Sequence, residues 1–388
     1  MQSEYANRIN EYIQSYHEEK GTWPLELDGK ITKHETYLIP IRFLRYNRDN
    51  GRIAMEIREK EEESGHPLDP KNLEDAKVIR QILLALEEGK TEELEKDLKR
   101  IGQEQPGVIT FDGVVINGNR RMAIFQELHE KEDGSGKWEK LEVIRLPEGI
   151  GTRELWKLEA GLQLSQRKVV DYHPVNELLK IKQGLKIGLT SKEMVDVLFG
   201  REEDEIKNGI ERLNLIDNFL KFMAQPENYG LIKKFGLHEY FINVQKTILK
   251  NKDSESPKEM HKRLQWTYAL LRANIMSTDE DVKKLTHMSF RQLGKIFDNT
   301  NAYFEFASTY KDTKDIKEIP VSEVIEGFRN AEDVLNIEAE KNKPKKLFER
   351  AIRALENVDL DSEQFNIDQV REEILELSDL IKKFEKLL

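Results

Sequence analysis

The run Gln105-Pro106-Gly107-Val108-Ile109-Thr110-Phe111-Asp112-Gly113-Val114-Val115-Ile116-Asn117-Gly118-Asn119-Arg120-Arg121 is the most heavily punctuated part of the chain. Two short β-rich segments, Val108 to Phe111 and Val114 to Ile116, flank Asp112-Gly113, a pair that favours a tight hairpin turn. The second segment ends at Gly118, and the residues from Met122 to Leu128 then read as a helix. A strand, a glycine turn and a helix N-terminus in that order favour phosphate binding. Glycine lets the backbone approach a ligand, the first helical N–H groups are unpaired, and adjacent arginines add bidentate donors. Residue types alone give equal weight to a turn whose arginines pair with surface carboxylates.

Working outward, residues 3–19 predict a helix with Tyr5, Ile9, Tyr12, Ile13 and Tyr16 on one stripe. A loop containing Pro24 and Gly29 follows. The segment from Tyr37 to Leu44 then reads as a strand that Pro40 assigns to a sheet edge, running into the polar turn Asn47 to Arg52. Asp75 to Leu86 predicts an amphipathic helix stopped by Gly89, and Thr91 is the expected N-cap of a helix reaching Ile101. Leu141 to Leu146 is a further strand. Beyond Arg153 strand signals cease, and Leu189 to Phe199, stopped by Gly200, with Glu203 to Leu215 forms a helix-turn-helix pattern. In the tail Ile367, Val370, Ile374, Leu377, Ile381, Phe384 and Leu388 recur at spacings of three and four. That seam packs either on the helix Lys345 to Asn357, folding back as a hairpin, or on a second chain.

The predicted fold class is α+β, a mixed N-terminal domain followed by an all-α C-terminal half. Its expected segments are 1–35, an N-terminal helix and lead-in; 36–152, the α/β domain; 153–225, the helix-turn-helix module; 226–342, an all-helical domain; and 343–388, a hairpin or coiled-coil tail.

Composition narrows the function classes. At about 150 residues per domain, the 388 residues predict two or three domains. Charged residues make up 35% and the formal net charge is -11, which opposes non-specific adhesion to nucleic acid. The absence of cysteine excludes disulfides, thiolate metal sites and sulfur nucleophiles, and fits a reducing, cytoplasmic setting. The N-terminal residues lack a secretory pattern, and no apolar run is long enough for a membrane span.

Several strings fail as motifs. Gly89-Lys90-Thr91 resembles the end of a P-loop but has Leu84 where the first glycine belongs. Gly149-Ile150-Gly151 places Glu154 where a dinucleotide fingerprint needs glycine. The eight histidines show no metal-ligand spacing. In the helix-turn-helix, Glu202, Glu203, Asp204 and Glu205 occupy the positions that would enter a DNA groove, and phosphates would repel them.

The order of these pieces resembles the ParB/sulfiredoxin superfamily over roughly residues 36–225. The segment from Gln105 to Ala123 is similar to the core in which a strand delivers an arginine box to a helix N-terminus. His173-Pro174-Val175-Asn176-Glu177, Gly188 to Glu193 and Ile210 to Leu215 are similar to the ParB linker and helix-turn-helix. The resemblance implies that Gly118, Arg120 and Arg121 contact the phosphates of CTP or another NTP with Mg2+, with Asn119 in place of the usual glutamate. It also aligns Arg52 with the first nucleotide box and Gln163 with the third. That third box departs from the family pattern, reading Ala160-Gly161-Leu162-Gln163-Leu164, with Glu159 one position away. Asn117 stands where catalytic relatives carry aspartate, and a chain without cysteine cannot be a sulfiredoxin.

The resemblance therefore implies a nucleotide-responsive, nucleic-acid-associated protein acting as a binding switch, with DNA or a nucleoprotein as partner. One alternative is a ParB-type nuclease or NTPase of a mobile-element or phage-defence system, using Glu104, Glu127 or Glu159 as acid or metal partner. Another is an acidic, non-enzymatic interaction scaffold. A homodimer through residues 343–388 is compatible with each.

Overall fold

The computed structural model describes residues 4–15, 21–27, 29–132, 136–164, 173–198, 202–251, 255–277, 285–308, 315–340, 343–359, 366–368 and 370–387. The chain divides into two compact units, Met1–Gly294 with Thr313–Ser322, and Lys295–Asp312 with Glu323–Leu388.

The first unit is built on a six-stranded sheet of order β1-β2-β6-β4-β5-β3, comprising β1 (Thr22–Leu27), β2 (Lys30–Pro40), β3 (Arg45–Tyr46), β4 (Gly107–Ile109), β5 (Val114–Asn117) and β6 (Lys140–Arg145). β4 and β5 form the predicted antiparallel hairpin, with Gly113 at φ 86° in its turn, while β4 runs parallel to β6 and β3 parallel to β5. Side chains alternate across the sheet. Ile109, Val115 and Val143 enter a core with Ile9 of α1 (Glu4–Ser15), Ile79 and Leu83 of α3 (Leu73–Ala85), Leu98 of α4 (Glu88–Ile101) and Met122 of α5 (Asn119–Lys131). Their neighbours Val108, Ile116 and Ile144 enter a second core with Leu25 and with Leu158 of α6 (Thr152–Leu164). Covering both faces explains why β4 and β5 read as continuous apolar runs rather than alternating ones.

Three expectations are corrected. Residues 22–27 and 30–35, expected as loop, form the β1–β2 hairpin, with Pro24 tolerated because β1 is the edge strand. β2, which carries the strand expected from Tyr37 to Leu44, ends at Pro40 and gives way to a 3-10 turn at Ile41–Phe43. Its Lys30–Glu35 half pairs with β1 and its Thr36–Pro40 half with β6, so Pro40 lies where only β6 is paired. α4 begins at Glu88, three residues before Thr91, and Gly89 lies inside it rather than stopping α3. The chain reverses at Glu87, which adopts φ 52°, and the Thr91 hydroxyl donates to the Leu86 carbonyl at 3.1 Å.

α2 (Ala54–Ser64) follows β3. In the helical half, α7 (Pro174–Lys186) starts at the His173 cap, which accepts from Val175 N–H with Pro174 in the first turn. α8 (Ser191–Val195) carries a Thr190–Glu193 capping box and is followed by α9 (Glu203–Phe222), longer than the predicted segment ending at Leu215. Trp156, Ile181, Leu189, Met194 and Ile206 join α6 through α9 in one core. Phe199, Gly200 and Arg201 lie outside the described residues. Further helices cover Gly230–Lys234, His238–Thr247 and Pro257–Met276, where Phe219 packs against Phe241 and Tyr268. After Arg145 the described residues form no strand, and none of their helices is long and apolar enough to cross a membrane.

In the second unit the tail helices Pro344–Glu356 and Arg371–Glu385 meet where Phe348 and Phe384 pack edge to face, centroids 4.9 Å apart. The tail thus folds back within the chain. Neither helix has a buried residue, and Ile352, Ile374 and Ile381 remain about half exposed; Leu388 lies outside the described residues.

Candidate functional site

α5 can follow β5 without a linker because Gly118 sits at φ 107°, a conformation that L side chains rarely adopt. A Cβ at this position would lie 3.4 Å from both Gly107 Cα and the Arg121 guanidinium. The helix's first turn closes with Met122 N–H donating to Gly118 O at 2.9 Å. The preceding N–H groups, of Asn119, Arg120 and Arg121, therefore lie at the open, electropositive end of a helix of 13 residues.

The two arginines differ. Arg121 donates to the Gln105 carbonyl, and burial pushes its guanidinium down to about 10 with no carboxylate acting in the opposite direction. It remains cationic at neutral pH, as a half-buried charge with no anionic partner among the described residues. The Arg120 side chain is 11% exposed and stands 3.5 Å from the Glu87 carboxylate. Desolvation lowers its affinity for the proton despite that acid. Glu87 also accepts from Lys90 at 3.1 Å.

Around this helix terminus is a cleft of about 510 Å³. All six residues assigned to phosphate or nucleotide, Gly118, Asn119, Arg120, Arg121, Arg52 and Gln163, line it. Arg52 arrives on the turn Gly51–Ile53, whose cap Asn50 accepts from Arg52 N–H at 3.0 Å and from Gln163 Nε2 at 3.3 Å. Asn119 lines the cleft, but its side chain is committed to the fold. Its amide donates to Val115 O at 2.6 Å, and its Oδ1 accepts from Asn47 N–H at 3.0 Å, fastening the Arg52 turn to α5.

The acids separate clearly. Glu104 lines the cleft. Glu127 does not: it lies seven residues beyond Arg120, about 10 Å along the helix, and stands 3.5 Å from both Arg80 and Lys131. Glu159 is enclosed behind the cleft. It accepts from Lys180 Nζ at 2.7 Å, Gly51 N–H at 3.1 Å, Gln163 Nε2 at 3.3 Å and Asn47 Nδ2 at 3.5 Å. Four donors make it a structural anion that holds the Arg52 turn to α6 and α7, rather than an acid aimed at a ligand. Among the described residues no three His, Asp or Glu side chains converge as a metal site.

The cleft also contains groups that sequence reasoning missed. Lys90, dismissed with the failed P-loop, shares one face of α4 with Leu94, Asp97, Leu98 and Ile101, all lining residues at helical spacing. Trp23 and Glu26 come from β1, in the stretch expected as loop. At the N-terminus of α9, Glu202 and Glu205 cap the helix reciprocally, and Glu203 accepts from Ser191 Oγ and pairs with Lys207. These contacts hold the Glu203 carboxyl below its usual range, so the end facing any DNA groove remains anionic.

No family model matches the chain, and no curated protein matches it.

Proposed function

We propose that the protein is a nucleotide-responsive switch with a ParB/sulfiredoxin-like N-terminal domain, whose cleft takes the phosphates of CTP or another NTP. The observation that carries this reading is Arg121, a cation without an anionic partner among the described residues, in a cleft shared with Arg52, Arg120, Gln163 and an open helix N-terminus. Desolvated guanidinium groups favour a bidentate anion, and a helix N-terminus adds backbone donors to it. Mg2+ would accompany the triphosphate. Glu104 suits it as a single protein carboxylate, since Mg2+ commonly keeps several waters and takes one or two carboxylates besides the phosphates.

Ligand held at both Arg121 and Arg52 would favour one arrangement of the helical half, by its differential affinity for the two arrangements. The acidic start of α9 favours a nucleoprotein or protein partner over direct sequence reading in DNA. The tail supports self-association. The helix Arg371–Glu385 is acidic at Glu372, Glu373 and Glu376 and basic at Lys382 and Lys383, so two antiparallel copies would bring opposite charges together over the exposed isoleucines.

Isothermal titration with CTP, ATP, GTP and UTP, each with magnesium, tests the central reading. Saturable binding of at least one, weakened tenfold or more in Arg120→Ala and Arg121→Ala, is expected, since a hydrogen bond to a charged group contributes roughly 1.5–3 kcal/mol. Absence of binding by all four nucleotides would overturn it. Nucleotide hydrolysis lost in Glu104→Gln with binding retained would move the protein to the NTPase alternative.

A further inference from the structure

Besides its phosphate-binding groups, the cleft has apolar lining residues on two elements. β1 contributes Trp23, Pro24 and Leu25, while α4 contributes Leu94 and Ile101. Leu25 is 5% exposed and buried among Val108, Ile116 and Ile144, which fixes the inward face of β1. The two-residue period of a strand puts Trp23 on that same face, one step beyond the core. It is 37% exposed, whereas Trp138, Trp156 and Trp266 are at most 4% exposed. Ile101 of α4, another lining residue, is 48% exposed. A tryptophan held on a hairpin and left open toward a cleft that holds Arg52, Arg120 and Arg121 presents a rigid, flat surface that loses little conformational freedom on binding.

We infer that Trp23 is a stacking platform for the ring of a phosphorylated ligand, so that the site takes a nucleobase rather than an inorganic polyphosphate. This rests on the phosphate reading above and adds to it a residue outside the arginine box and outside the 36–225 resemblance. Stacking acts through the face of the ring, which every base possesses, so Trp23 raises affinity for nucleotides without choosing among them. The arginines hold the phosphates, and the β1 hairpin grips the other end of the ligand.

The experiment titrates the full chain with CTP, ATP, GTP, UTP and inorganic triphosphate, following heat and tryptophan emission together. The expected result is tighter binding of a nucleoside triphosphate than of inorganic triphosphate, with emission quenched only by the nucleotide. Trp23→Leu should lose the quench and about tenfold in nucleotide affinity, keep its affinity for inorganic triphosphate, and be rescued by Trp23→Phe. Equal affinity of the parent for nucleotide and inorganic triphosphate would overturn the platform and leave the phosphate reading standing. Unchanged nucleotide affinity in Trp23→Leu would do the same. Failure of every probe to bind would overturn both. Because the side chain is partly exposed and on an edge strand, the Phe variant keeps the test decisive if Leu disturbs folding.

Discussion

Replacing Lys180 by methionine should destabilise the first unit by about 3 kcal/mol. The Lys180 side chain is 1% exposed and that of its partner Glu159 6% exposed, at 2.7 Å, so both charges were desolvated when the chain folded. Removing one member of such a pair costs roughly 3–5 kcal/mol, chiefly because the survivor is left charged and buried. Glu159 keeps Gly51 N–H and Gln163 as donors, which places the cost at the low end, and Lys180 also gives up a 3.0 Å bond to Gln183. At roughly 2 °C per kcal/mol for a unit of this size, the unfolding midpoint should fall by about 6 °C. Urea unfolding followed by tryptophan emission is a suitable assay, because Trp156 Nε1 donates to the Lys180 carbonyl and reports from beside the perturbation. Glu159→Gln in the same background removes the orphaned charge while keeping an acceptor for Gly51, and should restore about half of the loss. A cost below about 1 kcal/mol for Lys180→Met, or a double variant no more stable than the single one, would refute a buried structural role for this pair.

Gly118→Ala forces an L side chain into φ 107° and should cost about 1–3 kcal/mol while weakening nucleotide binding; an unfolding curve superimposable on the parent's would contradict the geometry at the start of α5. His238 is pushed down to about 4 by burial and by Arg212, from an ordinary value of 6.5. Its imidazole is neutral in both states above pH 6.5, and as pH falls from 6.5 toward 4 the unfolded chain protonates first, so stability is lost across that window. Chemical denaturation at several pH values should show a shallower acid loss in His238→Gln, and identical slopes would argue against the assignment. Deleting residues 343–388 should convert a dimer to a monomer in sedimentation velocity. Equal sedimentation-derived subunit numbers for both chains would show that the tail serves only as an internal hairpin.

What could be read in the sequence was what local rules govern. Asp112-Gly113 announced the β4–β5 hairpin, and Gly118 before two arginines announced the strand-to-helix turn, because each signal lies within a few residues of its effect. The first hairpin was hidden by Pro24, which argues against a strand unless that strand is known to be the edge, and edge position is a property of the assembled sheet. The start of α4 was hidden for a different reason. Its break depends on Glu87 at φ 52°, and a glutamate gives no warning of a left-handed conformation. The Lys180–Glu159 pair was not legible because charged residues are by default exposed; only the packing of α6, α7 and the Arg52 turn buries it. The same tertiary packing separated Glu104 at the cleft from Glu127 and Glu159 away from it, where residue types had made the three acids equivalent.

That buried pair also bears on how a bound phosphate could set a state rather than merely occupy a site. The cleft has one wall fixed to the sheet, through Gly118 and Arg121, and another carried by the Asn47–Ile53 turn. The turn is held by Glu159 of α6 and by Asn176 of α7, which accepts from Met55 N–H at 3.1 Å and donates to the Arg52 carbonyl at 2.8 Å. α7 in turn packs in one core with α8 and α9. The turn is already tied to α5 by the bond from Asn47 N–H to Asn119 Oδ1 at 3.0 Å, so a ligand that grips Arg121 and Arg52 together would reinforce that single link between α5 and α7, and a ligand that grips only one would not. Moving a tenfold preference for one arrangement to a tenfold preference for the other requires about 2.8 kcal/mol of differential affinity. One charge-assisted hydrogen bond contributes roughly 1.5–3 kcal/mol. A single such bond reaches that value only at the top of its range, whereas a bidentate arginine contact, with two bonds made in one arrangement and lost in the other, would be large enough to reverse the population. On this arithmetic bidentate arginine contacts would suffice to drive the proposed switch, and the Glu159–Lys180 anchor would keep that energy from being dissipated in movement of the turn alone.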